Sequence, residues 1–450
     1  MASFTDPETG VIIDNCQHVL LGCCTEAADF LERIGSLKHV RFHDRLNLID
    51  NGTRLTIEAS RLPPPLHLLP SIARSPFFSR REKADLYMLL PTMMLRDAGR
   101  SETAREYMHA IGCSEELLTR LIEPIIVSAL NEKPNEASGR YARMVLMESL
   151  VKTRGGYRLG VPELPQSNLI GKAAHAWLES NGCRIRLLTR VVGVHCQDGR
   201  ARRIELASET TPFAHPSRET SRTPLDTYPV SSILGSDRPT PPLSSDPVSH
   251  RLGSDSSAPP LGSDSSAPPL GKGGKGGVEF DAFVAAVPPN ALARLGVPAQ
   301  GAERLAWRPI VSAHLIFDGP TPPFEPACVV GKPFGWVFSK NPNVGYVEVV
   351  GSAAAGLIGQ SNDELLALAR RSAAAVDQVF AHMPLLRGIV CRTRRATFAT
   401  LAGDAHRPAA ETLTPNLFLA GDWTDTGWPA TIESAVRSGR AAARALLEAV

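Results

Sequence analysis

The stretch from Leu417 to Ala435 constrains the fold more than any other part of the chain. Leu417-Phe418-Leu419-Ala420 is an unbroken apolar run, and its length suits a short buried strand. The run stops at Gly421-Asp422, and a loop carrying Trp423, Gly427 and Trp428 follows. Pro429 then stands where a helix can open without needing the missing N–H. Beyond it, Ile432, Ala435, Val436, Gly439, Ala443 and Leu446 recur at spacings of three and four, which predicts one packed face. Ala435, Ser438 and Gly439 are small enough to let that helix approach a sheet or a cofactor closely. A buried strand, an acidic turn and a helix N-terminus form a place for a polar, partly anionic ligand, because the helix amides and dipole favour negative charge. A helix packed on a sheet beside an acidic turn has the same local signature, so this pattern alone does not separate the two.

Size and composition narrow the class. With 450 residues the chain can bury a large core in two or three domains. A net charge of +2 gives no reason to expect a nucleic acid partner. No apolar run approaches the length needed to cross a bilayer. Met1 to Asp6 has neither the basic nor the apolar region of a signal peptide. The eight cysteines are scattered without Cys-x-x-Cys, which fits a reduced, cytoplasmic setting. The histidines are isolated and the cysteines lack ligand spacing, so no metal site is expected. No Gly-x-Ser-x-Gly elbow supports a nucleophilic triad.

Taken in order, Phe4 to Asp14 predicts a hairpin turning at Asp6 to Gly10, and a helix follows from about Thr25 to Ile34. Asn51-Gly52 marks a second hairpin. Leu66 to Met94 is apolar with basic punctuation; it reads first as a helix of the substrate domain and second as an amphipathic segment resting on a membrane surface. Glu123 to Glu132 and Tyr141 to Val145 predict further helices. Ser167 to Ser180 predicts a helix leading into Arg184-Ile185-Arg186-Leu187, and Val191 to Val194 and Ile204 to Leu206 read as strands about the turn Asp198-Gly199. Ile310 to Phe317, Gly335 to Phe338 and Tyr346 to Val350 are β-rich, and a long helix follows from Asn362.

Residues 207–277 are different material, rich in Ser, Pro, Thr, Asp and Gly. A nine-residue unit, Leu252 to Pro260, recurs from Leu261 to Pro269. Such composition cannot bury enough apolar surface to offset the entropy of ordering, so a disordered insertion at a hairpin tip is expected, with Val278 to Pro289 resuming the interrupted strand. Gly271-Lys272-Gly273-Gly274-Lys275-Gly276 fits Gly-x-Gly-x-x-Gly, but it follows low-complexity sequence and precedes a strand, the wrong setting for a dinucleotide turn.

Gly421-Asp422-Trp423-Thr424, with Gly427-Trp428-Pro429-Ala430-Thr431-Ile432-Glu433-Ser434-Ala435 and Ser438-Gly439-Arg440, resembles the C-terminal flavin motif of the amine oxidase and phytoene desaturase superfamily. The runs Ile13 to Thr25, Val127 to Glu132, Trp336 to Phe338 and Tyr346 to Ala353 are similar to the squalene-associated, FAD-dependent desaturase-like proteins. That resemblance covers nearly everything outside the insertion. It implies an α/β fold in which a Rossmann-like FAD-binding domain (1–35, 167–206, 278–298 and 401–450) is interleaved with an α+β substrate domain (36–166 and 299–400). It implies FAD as cofactor, held by Gly421, Asp422, Trp428, Pro429, Ala430, Thr431 and Glu433, with Val192 presenting backbone to the adenine. It implies an isoprenoid lipid substrate, reductive removal of the hydroxyl of hydroxysqualene to give squalene, and peripheral membrane contact. Asp14 and His18 are the candidate polar groups near the flavin ring; Asp14 reads equally as a turn-fixing residue and His18 as a satisfied core histidine. The family's N-terminal strand, Gly-x-Gly-x-x-Gly turn and helix have no counterpart before the first hairpin. We therefore expect the true N-terminus to be missing through a late start codon or a truncated gene. The alternatives within the resemblance are a carotenoid desaturase and a non-catalytic remnant.

Overall fold

The computed structural model of the chain describes residues 3–207, 277–299, 301–403 and 407–449. Its largest element is a seven-stranded sheet, in the order Leu385–Phe398, Trp307–Phe317, Tyr346–Gly351, Trp336–Asn341, Ala327–Val329, Arg45–Asp50 and Thr53–Glu58. Strands from two distant parts of the sequence thus share one sheet, joined where Ala327–Val329 runs parallel to Arg45–Asp50. The Arg45–Asp50 hairpin turns on Asn51 and Gly52 at φ 47° and 80°, the left-handed pair that a two-residue turn demands.

Strand alternation gives this sheet two chemically different faces. Val311, Ala313, Leu315, Val337, Val347 and Val349 point one way, into a core closed by Leu365, Ala369 and Ala373 of the Asn362–Val376 helix. Ser312, His314, Glu348, Val350, Trp336 and Phe338 share the other face by register. The N-terminal hairpin, Ser3–Thr5 paired with Ile12–Asp14, and the loop after it cover that second face through Ile13 and Cys16.

Helices between Leu69 and Leu146 pack around Tyr107, Met108, Leu117, Leu118 and Ile126. Two of them open on reciprocal caps, Ser79 with Glu82 and Thr103 with Glu106. The Glu123–Leu130 helix ends at left-handed Asn131. That side chain donates to the Pro309 carbonyl and Thr397 Oγ1 and accepts from Ala353 N–H, tying the helical layer to the sheet.

On the other side of the molecule Phe283–Ala285 pairs in parallel with Leu417–Leu419. Val191–Gln197, Arg200–Leu206 and Gly277–Glu279 form a separate antiparallel sheet, turning at Asp198-Gly199 as expected. Gly277 lies opposite Glu205, so the ends of the low-complexity stretch meet across one ladder. Residues 208–276, including Gly271–Gly276, lie outside the described residues.

Two local expectations are corrected. The last helix runs Ile432–Ala449 and opens three residues after Pro429, because Thr431 Oγ1 accepts the Ser434 N–H (3.3 Å) and caps it. Its buried face is Ser434, Ser438, Ala442 and Ala445, while Ala435, Gly439 and Ala443 are exposed. The serines decide this, since their hydroxyls bond the loop carbonyls and amide they face, which an apolar stripe cannot do. Among the described residues no helix is long and apolar enough to cross a membrane.

Candidate active site

The loop after Leu417–Leu419 is held from within. Gly421 sits at φ 150°, and a Cβ there would lie 2.2 Å from the Trp423 indole nitrogen, so only glycine allows the buried Trp423 to fold back over the turn. Gly421 N–H donates to Ser438 Oγ at 2.8 Å, and Thr424 Oγ1 donates to the Gly421 carbonyl at 2.9 Å. Thr426 and Ser434 hydroxyls meet at 2.6 Å, and Ser434 Oγ reaches the Asp422 carbonyl at 3.3 Å. Arg407 threads the loop: its guanidinium bonds the carbonyls of Asp422, Trp423 and Trp428, Ser434 Oγ and the Tyr141 hydroxyl. The sequence offers no motif for Arg407; a lone cation shortly before an acidic turn is its only signal.

Inside this brace the Asp422 carboxylate makes no hydrogen bond to another side chain among the described residues. Burial pushes its pKa up, while Arg407 and its own backbone amide pull it down. A carboxylate in that state is a ready acceptor for a hydroxyl donor. Glu433 is differently used. Fully buried, it accepts Ala27 N–H at 2.8 Å and Glu26 N–H at 3.3 Å, capping the Thr25–Arg33 helix, and pairs with Arg437 at 2.8 Å. What it leaves toward a ligand is backbone.

Trp428, Pro429, Thr431, Ile432 and Glu433 form one wall of a cavity of about 180 Å³. Ile125, Val145, Leu150, Trp336, Phe338 and Val350 face them from the helical layer and the sheet, and Gln17, Leu20, Leu21, Cys23 and Cys24 close the third side. Ala430 points elsewhere, into the core around Trp423. Neither Asp14 nor His18 lines this space. Asp14 is buried, accepting from Ser3 Oγ (2.6 Å) and Gln166 N–H (3.0 Å). His18 Nε2 is buried without a partner, and desolvation lowers its pKa to about 4, so the ring is neutral. Val192 lies on the Val191–Gln197 strand, away from the cavity and partly exposed. Sequence reading missed Gln17, the polar residue that the Asp14-to-His18 loop does bring to the wall.

These residues fit the ribityl and isoalloxazine half of a flavin. Pro429, Trp428 and Ile432 offer an apolar shelf, Asp422 an unused acceptor, and the Ile432–Ala449 helix a first turn whose amides have no intrahelical acceptor. No Gly-x-Gly-x-x-Gly turn for the adenosine half occurs among the described residues.

Comparison with known proteins agrees. The model of the flavin-containing amine oxidoreductase family matches residues 270–447. Hydroxysqualene dehydroxylase of Rhodopseudomonas palustris is 29% identical, over 99% of this chain and 89% of that protein. The protein of the same name from Zymomonas mobilis is 25% identical, over 98% and 88%. Among solved structures, putrescine oxidase bound to putrescine superposes with a TM-score of 0.61 at 13% identity, covering 99% of this chain and 90% of that one. Cyclohexylamine oxidase from Brevibacterium oxydans gives 0.57 at 12%, over the same shares. The chain is therefore an FAD-dependent oxidoreductase, similar over residues 270–447 to the flavin-containing amine oxidoreductases and over nearly its whole length to the hydroxysqualene dehydroxylases.

Proposed function

We propose that this enzyme reductively removes the hydroxyl of an allylic isoprenoid alcohol, hydroxysqualene, to give squalene for hopanoid synthesis. The observation that carries the reading is the character of the cavity beside the flavin motif. Its walls are aliphatic and aromatic, and the one carboxylate in them, Glu433, is already committed to the Thr25–Arg33 helix and Arg437. An ammonium substrate would find no free anion there, whereas a hydrocarbon chain is matched by burial at about 25 cal/mol per Å². At about 180 Å³ the space is smaller than the roughly 300–1,000 Å³ that encloses a drug-sized ligand. It therefore takes the reacting segment of a long chain while the remainder extends beyond.

FAD, when bound, supplies the hydride for the reduction. Pro429, Trp428 and Ile432 shape the flavin-side wall, Asp422 accepts from the ribityl chain, and Trp336, Phe338 and Val350 exclude water from the reacting carbon. The substrate lives in membranes, and the reading includes a cytoplasmic protein that touches the bilayer surface. Its support is the outer face of the Arg80–Leu95 helix, where Tyr87, Met88, Met94 and Leu95 are exposed behind Arg80 and Arg81.

The test is anaerobic incubation of the purified protein with hydroxysqualene and chemically reduced FAD, and separately with phytoene and oxidised FAD, with products read by mass spectrometry. Squalene in the first arm alone is the expected result. Desaturated carotene in the second arm, with no squalene in the first, would replace this reading by polyene desaturation.

A further inference from the structure

We propose that Glu348, acting through Lys340, stores the proton that the departing hydroxyl takes, an assignment that rests on the dehydroxylation reading above. Glu348 is 0% exposed, at the centre of the seven-stranded sheet. It faces the flavin side: register pairs it with Phe338 on one neighbouring strand and His314 on the other, and Phe338 and Val350 on that same face line the cavity. Neither of its oxygens accepts a hydrogen bond among the described residues. Lys340 Nζ lies 3.8 Å from Glu348 and 4.0 Å from Asp14, and it bonds Gln17 Oε1. Gln17 lines the cavity and holds the ammonium directly behind it, so the proton's route runs from Glu348 to Lys340 and past Gln17 to the reacting segment.

Two carboxyls share a single ammonium in a dry place. Burying a second, uncompensated negative charge is costly, so one carboxyl keeps its proton. Asp14 already accepts from Ser3 Oγ and Gln166 N–H. Neither Glu348 oxygen meets a hydrogen-bond donor at full geometry among the described residues, and burial outweighs the opposing Gln17 backbone amide, so the proton is assigned to Glu348. Burial, with Asp14 adding to it and Lys340 opposing, brings Glu348 to about 7, where a proton can be both held and released near neutral pH.

The other groups around it hold one charge state in that range. His314 is pushed down to about 3 by burial, and its Nδ1 meets the Tyr346 hydroxyl at 2.8 Å. His18 is at about 4 and Cys391 at about 12, while burial also raises Tyr346 and Cys16.

In the step itself the allylic C–O bond breaks, and the oxygen leaves as water, taking a proton from the Lys340 ammonium. Lys340 recovers a proton from Glu348, which becomes the carboxylate paired with it. Reduced FAD, when bound, would supply the hydride that the carbon gains, and solvent reprotonates Glu348 before the next turnover. Gln17 keeps the ammonium aimed at the wall, so Glu348 is a positioning residue and not one that touches substrate.

Infrared titration of the purified protein from about pH 5 to pH 9 tests this without substrate. A protonated-carboxyl band that disappears with a midpoint near 7, is absent in Glu348→Gln and moves to higher pH in Lys340→Met is expected. In turnover, Glu348→Gln should lower kcat by roughly 10²-fold and flatten its pH profile while flavin content stays unchanged, and Glu348→Asp should restore part of the pH dependence. A band unaltered by Glu348→Gln, or a kcat profile identical to wild type, would overturn the assignment. Wild-type protein with the titrating band but no squalene formed would instead sink the reaction and leave the proton store standing.

Discussion

Glu433→Ala should unlock the first helix from the last. The two amides that lose their acceptor are Ala27 N–H at 2.8 Å and Glu26 N–H at 3.3 Å, and Arg437 loses its partner at 2.8 Å. Hydrogen bonds to a charged group contribute about 1.5–3 kcal/mol each. Counting the short bond fully and the long one at less than half gives about 2–4 kcal/mol. The carboxylate at the helix N-terminus adds about 0.3–1 kcal/mol, for a total of about 2–5 kcal/mol, which overlaps the range for breaking a buried pair. Arg440, which bridges from the last helix to Glu26 and Asp29, still holds the helices side by side, so the loss should be local. Amide hydrogen exchange of the peptide spanning Thr25 to Leu31, followed by mass spectrometry, reads that directly. At 1.4 kcal/mol per decade the exchange should quicken by roughly 30-fold or more. Glu433→Gln keeps one acceptor and should lose about half as much. Exchange within about threefold of wild type in Glu433→Ala would refute the capping role, because no other acceptor for these amides is present.

Gly421→Ala forces a Cβ against the Trp423 indole and should abolish bound flavin, read as the absorbance of purified protein. Asp422→Ala should weaken FAD binding roughly tenfold by removing a hydrogen-bond acceptor, measured by equilibrium titration; unchanged affinity would dismiss Asp422 as a ribityl contact. Arg407→Met leaves three loop carbonyls without their shared donor, and limited proteolysis should then cut between Asp422 and Thr431. For Glu348 the folded pKa of about 7 lies above the unfolded carboxyl value, so its contribution is present below about 4.5 and lost as pH rises through 7. Glu348→Gln should therefore remove a decline on the order of 3 kcal/mol between those limits, checked by denaturation midpoints at each pH. Replacing residues 208–276 by a short turn should stabilise by at most about 2 kcal/mol through lower closure entropy, since Glu205 and Gly277 already face each other.

Much of the skeleton was legible because its signals are local. Asn51-Gly52 and Asp198-Gly199 are turn chemistry that needs no tertiary partner, and both sit at positive φ as expected. Leu417–Leu419 is apolar on both faces and could only be buried. The site was legible in its loop but not in its neighbours. Which face of the Ile432–Ala449 helix packs depends on Ser434 and Ser438 finding loop carbonyls and an amide, and helical periodicity scores serine as outward-facing. Glu348 in Tyr346-Val347-Glu348-Val349-Val350 looks like a solvent-facing residue of an amphipathic strand. Only the register with Trp336–Asn341 and the hairpin laid over it turn that position into a buried one.

The proposed reading puts a hydrocarbon on the fold of the amine oxidases, and it requires that the selective groups stand at the margin of the sheet. A diamine brings two positive charges that need carboxylates at the wall, and here the wall carboxylate is locked into a helix cap. The charges this chain does keep lie beneath the floor, on the strand positions next to Phe338 and Val350, and only Gln17 connects them to the cavity. That arrangement suits an alcohol on a greasy chain. On the proposed reading, the hydrocarbon would be held by apolar contact, and the one polar event, loss of water, would draw its proton from a buried place. Gln17→Leu separates the two functions. It should leave hydrocarbon binding and flavin content unchanged and slow only the proton-dependent step, seen as a lower kcat at an unaltered KM. A rise in KM with kcat preserved would mean that Gln17 belongs to the wall alone and that the buried cluster is not connected to the chemistry.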